Sequence, residues 1–162
     1  MANKNNKSSG LGMVDVSEKQ ITKRRAVATG TVQFEPKAFE ILVKQGSPKG
    51  NVIETAKIAG IMAAKSTPSI VPLCHPLALE KVKIDIELDS KSKQAQIKAE
   101  ILSVGKTGVE MEALTAVTAA ALTIYDMMKW AGQTMEISQV QLLHKSGGKT
   151  GTYQRLPQGN KK

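Results

Sequence analysis

Three groups of side chains in this 162-residue sequence could carry acid–base chemistry. The first is a loop in which His75 lies between Cys74 and Pro76. A proline restricts the residue before it to extended backbone, so the imidazole has a defined direction. Imidazole can bind an anionic or polar ligand or transfer protons near neutral pH, although a histidine that bonds to its own turn is the commoner case. We expect Cys74 to act as a small buried apolar residue rather than as a thiolate nucleophile.

The second group is a pair of carboxylates, Glu110 and Glu112, at the start of a long amphipathic segment. Thr107 followed three residues later by Glu110 has the spacing of a capping box, which predicts a helix that begins near Gly108. Capping is then a sufficient role for Glu110. Glu112 has no such role and is the better functional candidate of the two.

The third group is Asp126 and Lys129, which stand three residues apart and therefore share one face of the same helix. They follow a run of uncharged residues, 113–125, and precede Trp130. This pattern predicts a partly buried helix end, where a lysine can titrate low enough to act as a base or an acid. An ordinary surface ion pair is the alternative interpretation.

The predicted helix, 106–131, holds these carboxylates far apart. At 1.5 Å per residue, the steps from Glu112 to Asp126 span about 21 Å, which exceeds the reach of a small substrate. If both ends are catalytic, one site must combine ends from different copies of the chain. A face of small residues on this helix offers one place where backbones could meet: Thr115, Ala116, Ala119 and Thr123.

The net charge of +9 is confined to the two ends of the chain. Residues 1–25 contain six basic and two acidic residues, residues 145–162 contain five basic and no acidic ones, and the body between them is neutral. Aromatic residues make up only 3%, so the body lacks a stacking platform for single-stranded nucleic acid. We therefore favour a small anionic ligand. The alternative is a non-catalytic nucleotide- or RNA-binding module that uses the basic tails.

Composition also predicts the compartment and the metal content. No apolar run approaches the roughly 20 residues that span a bilayer, and residues 1–13 lack the apolar core of a secretory signal. With a single cysteine, Cys74, no internal disulfide can form, so a cytoplasmic location without membrane partners is expected. The neutral, aromatic-poor body also predicts that the chain has no nucleic-acid partner. Cys74 and His75 are too few for a metal site, and His144 is the only other histidine.

Periodicity predicts the order of the secondary structure. A strand at 26–34 is followed by a short helix from Pro36, a helix at 51–65 capped by Asn51, and a proline-containing loop to residue 79. An alternating hairpin, the long helix and a last strand at 135–143 complete the order, with a phase slip near Gln139. This order predicts an α+β ferredoxin-like fold: a βαββαβ antiparallel sheet with helices on one face and an extra short helix in the first crossover.

The predicted domain organisation is a disordered tail at 1–12, a single catalytic domain at 13–145 and a flexible Gly/Lys-rich tail at 146–162.

Two Gly-Lys-Thr triplets, 105–107 and 148–150, lack the upstream glycine of a phosphate-binding P-loop. Backbone amides and a lysine could still bind phosphate in both loops, since the first leads directly into a helix.

Several multi-residue blocks together resemble a known family. They occur in the same order from residue 13 to residue 151 and read Met-Val-Asp-Val (13–16), Lys-Gly-Asn-Val (49–52), Ala-Lys-Ile-Ala-Gly-Ile (56–61), Pro-Leu-Cys-His-Pro-Leu (72–77), Lys-Thr-Gly-Val-Glu-Met-Glu-Ala-Leu-Thr (106–115), Ala-Leu-Thr-Ile-Tyr-Asp-Met-Met-Lys (121–129) and Lys-Ser-Gly-Gly-Lys-Thr-Gly (145–151). In these blocks the chain resembles the cyclic pyranopterin monophosphate synthase family, the accessory protein C of molybdenum cofactor biosynthesis.

The resemblance implies a lyase that acts on a cyclised dihydroguanosine triphosphate, rearranges its purine into a pyranopterin, closes a cyclic phosphate and releases pyrophosphate. It implies a homohexamer of paired subunits with sites between chains. We expect no tightly bound cofactor, and Mg²⁺ could accompany the triphosphate. The residues it implies as catalytic are Asp126, Lys129, Lys49 and His75. Those it implies as substrate-binding are Leu73, Cys74, His75, Met111, Glu112, Arg24 and Lys145. Our hypothesis assigns Lys129 as base, oriented by Asp126, and Lys49 as acid, with the reverse assignment open.

Overall fold

The computed structural model describes residues 10–156, and the sheet at its centre is built around one long strand. This strand, β1 (Thr22–Gln33), pairs on both sides, and the five-stranded sheet has the order β2-β3-β1-β4-β5. Strands β2 (Lys81–Asp89) and β3 (Gln94–Gly105) form the predicted hairpin. All pairings are antiparallel, so the predicted ferredoxin-like arrangement is confirmed.

The sheet alternates between a covered and an open face because successive residues of a strand point to opposite sides. On β3 the predicted apolar set is completely buried: Ala95, Ile97, Ala99 and Ile101. The helices α1 (Pro36–Lys44), α2 (Val52–Lys65), α3 (Thr67–Ile70) and α4 (Glu110–Met128) lie in the connections between strands. Among residues 10–156, no helix combines the length and apolar character that crossing a bilayer requires.

Helix α2 packs against α4 through small residues. Asn51 caps α2 as predicted, because its side chain accepts a hydrogen bond from the backbone N–H of Glu54 (3.0 Å). A Cβ added to Gly60 would lie 3.0 Å from the carbonyl oxygen of Ala116, so glycine permits the close approach of the two helices. Part of the small-residue face of α4 therefore meets a helix of its own chain.

The start of α4 differs from the prediction. The helix begins at Glu110, after Val109, and no side chain caps its first turn. The capping-box prediction is wrong because the Glu110 carboxylate folds back over Gly108 and binds Lys145 instead. The ion pair with Lys145 therefore uses the carboxylate that the predicted capping box would require.

The end of α4 also differs from the prediction. The helix ends at Met128 with Lys129 as its C-cap, three residues before the predicted end at residue 131. Gly132 serves close packing, because a Cβ there would collide with the carboxylate of Glu35 and would lie 3.2 Å from the methyl group of Ala38.

Strand β4 (Glu136–Ser146) contains two irregularities. The first confirms the predicted slip near Gln139, which adopts a left-handed φ of 52°. The second lies between the pairs Ala28↔Leu142 and Val27↔His144. A further strand, β5 (Tyr153–Gln154), pairs with the end of β4. Residues 1–9 and 157–162 of the predicted tails lie outside the described residues, and the predicted domain boundaries stay a prediction.

Candidate active site

Two adjoining cavities lie at the N-terminal end of α4. The first, the histidine cavity, has a volume of about 410 Å³. The loop after α3 and the first turn of α4 contribute all five residues predicted to contact a substrate there: Leu73, Cys74, His75, Met111 and Glu112. Residues of the N-terminal segment complete its wall: Val14, Val16 and Lys19.

A buried carboxylate lies in the histidine cavity. Glu112 is only 3% exposed, and this burial raises its pKa, with a smaller contribution from the nearby charge of Glu110. Partial burial and the charge of Glu112 also raise the pKa of the Cys74 thiol. The Cys74 thiol, which is half-buried rather than buried as predicted, is therefore harder to deprotonate than an ordinary cysteine, and Glu112 can exchange a proton nearer to neutral pH than an ordinary glutamate.

The second cavity, the basic cavity, has a volume of about 450 Å³ and is lined by cationic side chains. These are Lys19, Arg24, Arg25, Lys106, Lys145 and Lys149. Both Gly-Lys-Thr triplets line it, because the loop 105–107 lies beside the glycine-rich turn that follows β4. The two weak phosphate-binding signals of the sequence thus meet in one place.

Arg24 is fixed in the wall of the basic cavity. It is 8% exposed, and its guanidinium donates to the carbonyl oxygens of Gly105 (3.4 Å) and Lys106 (3.2 Å). A Cβ on Gly148 would collide with this guanidinium, so glycine is needed where the turn crosses it. Within residues 10–156, no carboxylate forms an ion pair with Arg24. A buried cation without a counter-ion favours an anionic ligand.

The two cavities share a wall. Four residues line both: Lys19, Thr107, Gly108 and Glu110. Within this wall an oxygen of Glu110 lies 3.0 Å from the ammonium nitrogen of Lys145. The two cavities can therefore hold neighbouring parts of one ligand, anionic on one side and polar on the other.

A third group of residues lies at the opposite end of α4. One oxygen of Asp126 lies 2.6 Å from the Nζ of Lys49, and the other lies 2.8 Å from the Nζ of Lys129. The turn that carries Lys49 is held against α4, because the Ser47 hydroxyl donates to the carbonyl oxygen of Met127 (2.7 Å). The side chains of this Lys-Asp-Lys cluster are half exposed, and they line neither the basic nor the histidine cavity.

Ion pairing within the Lys-Asp-Lys cluster shifts the pKa values of Asp126 and Lys129. Hydrogen bonds from Lys129 and then Lys49 lower the pKa of Asp126 to about 2. The same contact raises the pKa of Lys129, because the Asp126 carboxylate stabilises the ammonium form. The sequence expectation of a low-titrating Lys129 is therefore wrong for the single chain, since the predicted burial is absent and the ion pair dominates.

The structure thus divides the predicted residues into two sets. Seven lie at the cavities: Arg24, Leu73, Cys74, His75, Met111, Glu112 and Lys145. Three lie at the far end of α4: Lys49, Asp126 and Lys129. The residues implied by the family resemblance did not include Lys19, Lys106 or Glu110. The Gly-Lys-Thr triplet was the available signal for Lys106, whereas Glu110 was hidden by its capping spacing.

Fold and site define an α+β protein whose site suits a ligand with several negative charges next to a polar group. The model of the MoaC family matches residues 13–148, and the chain belongs to this family. A cyclic pyranopterin monophosphate synthase of Roseiflexus castenholzii is 52% identical over 139 residues, which cover 86% of this chain and 88% of that protein. The protein of that name from Staphylococcus carnosus is 49% identical over 151 residues, covering 93% and 94%.

Proposed function

We propose that the chain is a cyclic pyranopterin monophosphate synthase. It converts (8S)-3',8-cyclo-7,8-dihydroguanosine 5'-triphosphate to cyclic pyranopterin monophosphate and diphosphate in molybdenum cofactor biosynthesis. The relatives that are about half identical to it carry this name. The observation that carries the proposal is the shared wall between a basic cavity and a cavity containing His75 and buried Glu112.

The triphosphate binds in the basic cavity. Arg24 presents a fixed guanidinium, while Lys145 and the two glycine-lysine loops add charge and backbone N–H groups. Closing the cyclic phosphate requires a substrate hydroxyl to attack the α-phosphorus while the bond to the leaving diphosphate breaks. The basic side chains stabilise the charge that moves onto that leaving group.

The purine-derived ring binds in the histidine cavity. Leu73, Cys74 and Met111 provide apolar and soft contact surface, and Glu112 and His75 provide polar groups. Opening and reclosing the ring requires proton transfers at nitrogen and oxygen. Glu112, whose pKa is raised by burial, suits such transfers, and the imidazole of His75 in the same cavity offers a second proton donor or acceptor.

The Lys-Asp-Lys cluster supplies the remaining proton transfers. In our assignment Lys129 acts as the base, oriented by Asp126, and Lys49 acts as the acid; the two lysines could also exchange these roles. A base must lose its proton first, so Lys129 needs surroundings that offset the charge of Asp126. A second protein surface over the cluster would desolvate the ammonium and lower its pKa.

We propose that a second copy of the chain provides this surface. Ala119 lies midway between Glu112 and Asp126, so a two-fold axis beside it would place Asp126 of one copy next to Glu112 of the other. Exposed apolar side chains of α2 and α4 are available for such a contact: Ile58, Met62 and Leu122. The resemblance extends this pairing to a hexamer, a trimer of dimers.

We further propose that no cofactor is tightly bound and that Mg²⁺ accompanies the triphosphate. A triphosphate can supply oxygen ligands to Mg²⁺ itself, so the metal would be carried by the substrate. Glu110 is the only carboxylate of the described residues that line the basic cavity. A cytoplasmic location and the absence of nucleic-acid partners complete the proposal.

The direct test incubates the purified protein with the cyclised nucleotide. We expect release of pyrophosphate together with a product that oxidises to a fluorescent pterin. Pyrophosphate release without a pterin would identify a different reaction, and neither product would contradict the proposed activity.

Complementation tests the composite site. His75→Ala and Lys129→Ala should each be inactive, whereas a mixture refolded or exchanged together should recover part of the activity, because one site per mixed pair is intact. Mixing Lys49→Ala with Lys129→Ala is the matched control and should recover none, since every site then lacks a lysine. Equal results in the two mixtures would contradict the shared site.

A further inference from the structure

A single carboxylate faces the cations of the basic cavity. Of the residues within 10–156 that line this cavity, Glu110 is the only acidic one, against six basic residues. A carboxylate beside a triphosphate repels it, so its position in this wall requires an explanation. Helix capping does not explain it, because no side chain caps α4.

The position of Glu110 is defined by its contacts. Its carboxylate folds back over Gly108, where a Cβ would collide with it, and one oxygen lies 3.0 Å from the Lys145 ammonium. The side chain of Glu110 is 26% exposed and that of Lys145 is 31% exposed. The ion pair is therefore partly shielded from water and faces the space where phosphates would bind.

The neighbouring cations are engaged differently. The Arg24 guanidinium donates to backbone carbonyls, and the Nζ of Lys106 donates to the carbonyl oxygen of Ser17 (2.6 Å). Neither contact is an ion pair. Arg25 pairs with Glu100 on the sheet (2.7 Å). Among the described residues, Lys145 is thus the cavity cation that is neutralised by a carboxylate of the cavity itself.

We propose that Glu110 is a positioning residue that competes with the leaving pyrophosphate for Lys145 and so promotes product release. This inference rests on the proposed function. The bound triphosphate draws the Lys145 ammonium away from Glu110. Once the bond to the α-phosphorus has broken, pyrophosphate is held only by the cavity, and Glu110 regains Lys145. The affinity for the product falls because one cation is withdrawn and one negative charge remains beside it.

This role predicts opposite effects on binding and turnover. Glu110→Gln keeps the shape of the side chain but removes its charge, so Lys145 becomes fully available to pyrophosphate. We expect pyrophosphate to bind about two- to fivefold more tightly, the range expected when one partly exposed charge contact is changed. Steady-state turnover should fall and should follow a burst of product, because release becomes the slow step.

The test titrates inorganic pyrophosphate into the full-length protein by calorimetry and measures product formation over the first turnovers. Glu40→Gln is the matched control, since Glu40 pairs with Lys44 (3.7 Å) on α1 and lines neither cavity. It should leave both measurements unchanged. Gly108→Ala is the second variant: the nearest atoms to its Cβ all belong to Glu110, so it moves the carboxylate without removing its charge. It should also tighten pyrophosphate binding.

The outcomes separate this inference from the proposed function. A wild-type protein that neither binds pyrophosphate nor forms the pterin contradicts the proposed function itself. A wild-type protein that does both, with unchanged or weaker pyrophosphate binding in Glu110→Gln, overturns only the role of Glu110. Tighter binding and a product burst in Glu110→Gln, together with unchanged Glu40→Gln, support it.

Discussion

The two ends of helix α4 treat their carboxylates in opposite ways. At the N-terminal end, Glu112 is 3% exposed and its pKa is raised by burial. At the C-terminal end, Asp126 is half exposed, and two lysines lower its pKa to about 2. The N-terminal end lies at the basic and histidine cavities, whereas the charged groups of the C-terminal end line neither of them. The proposed function uses this difference: the N-terminal end would bind the substrate within a single chain, and the C-terminal end would act at the proposed interface with a second copy.

The largest effect should come from Asp126→Asn. We expect kcat to fall about 10³-fold with a smaller change in KM, because both lysines lose the group that orients them. Removing the carboxylate also lowers the pKa of Lys129, so the rise of activity that follows its deprotonation should move to lower pH. The measurement is a pH profile of pyrophosphate release.

Glu54→Gln is the control for Asp126→Asn. Glu54 forms a similar pair with Lys57 (2.8 Å) on α2, outside both cavities, so its loss should leave kcat unchanged. An Asp126→Asn enzyme with wild-type kcat would contradict the chemical role of the C-terminal end.

At the other end, Arg24→Ala should mainly affect binding. We expect KM to rise about 30-fold with a smaller loss of kcat, since charge-assisted phosphate contacts contribute about 1.5–3 kcal/mol each. Lys23→Ala, an exposed cation on the same strand, should behave as the wild type. If Arg24→Ala lowered kcat as much as Asp126→Asn does, the division between a binding end and a chemical end would be wrong.

Glu100 is a third carboxylate with ion pairs, and we expect these pairs to affect stability rather than catalysis. Hydrogen bonds from Lys81 and Arg25 lower the pKa of Glu100 to about 2 on the open face of the sheet. Because the pKa of Glu100 is lower in the folded state, its ion pairs contribute to the free energy of unfolding. The contribution is complete above the unfolded pKa, about 4.3, and is lost as the pH falls through 2. Glu100→Gln should therefore lower the free energy of unfolding by about 1–2 kcal/mol at pH 7, because the partly exposed partners reduce the full effect.

Denaturant unfolding from pH 7 to pH 2 measures this difference between wild type and Glu100→Gln. The two curves should converge near pH 2. Asp126→Asn is the comparison, because its carboxylate has the same low pKa but is exposed, and it should change stability little. A difference between wild type and Glu100→Gln that persists at pH 2 would show that the ion pairs are not its cause.

The smallest effect should be a gain in stability from Glu112→Gln. A buried carboxyl group with a raised pKa binds its proton more tightly in the folded state than in the unfolded state. The free energy of unfolding therefore decreases as the pH rises through the folded pKa, because ionising the buried group has a cost. At pH 8 the amide avoids this cost, and we expect an increase of about 1 kcal/mol, or roughly 2–4 °C in Tm. Activity should fall. A lower Tm of Glu112→Gln than of wild type at pH 8 would show that contacts of the Glu112 carboxylate stabilise the fold.

Local signals in the sequence predicted local structure well. Asn51 with Glu54 predicted the cap of α2, and the alternating runs predicted the hairpin, because these features depend on neighbouring residues. The start of α4 could not be predicted in this way, since Lys145, 35 residues after Glu110, takes the carboxylate. The short helix α3 and strand β5 were also missed, because neither is long enough to give a periodic pattern.

The same limit applies to the site. Periodicity placed Asp126 and Lys129 on one face of a helix, which their 2.8 Å contact confirms. It could not place Lys49, which lies 77 residues before Asp126 and joins the cluster only through the fold. The family resemblance implied Lys49, but no spacing between residues of the chain contained that information.

The second irregularity of β4 has a chemical consequence. A one-residue slip reverses which side chains of a strand face a given side. Because the pairing shifts between Leu142 and His144, Lys145 pairs with inward-facing Ala26 and lines the basic cavity, while His144 turns to the other side and meets Gln154. An unshifted strand would offer imidazole where the ammonium now stands. The wall of the basic cavity therefore carries an ammonium, which can donate three hydrogen bonds to an anion, in place of an imidazole, which can donate at most two.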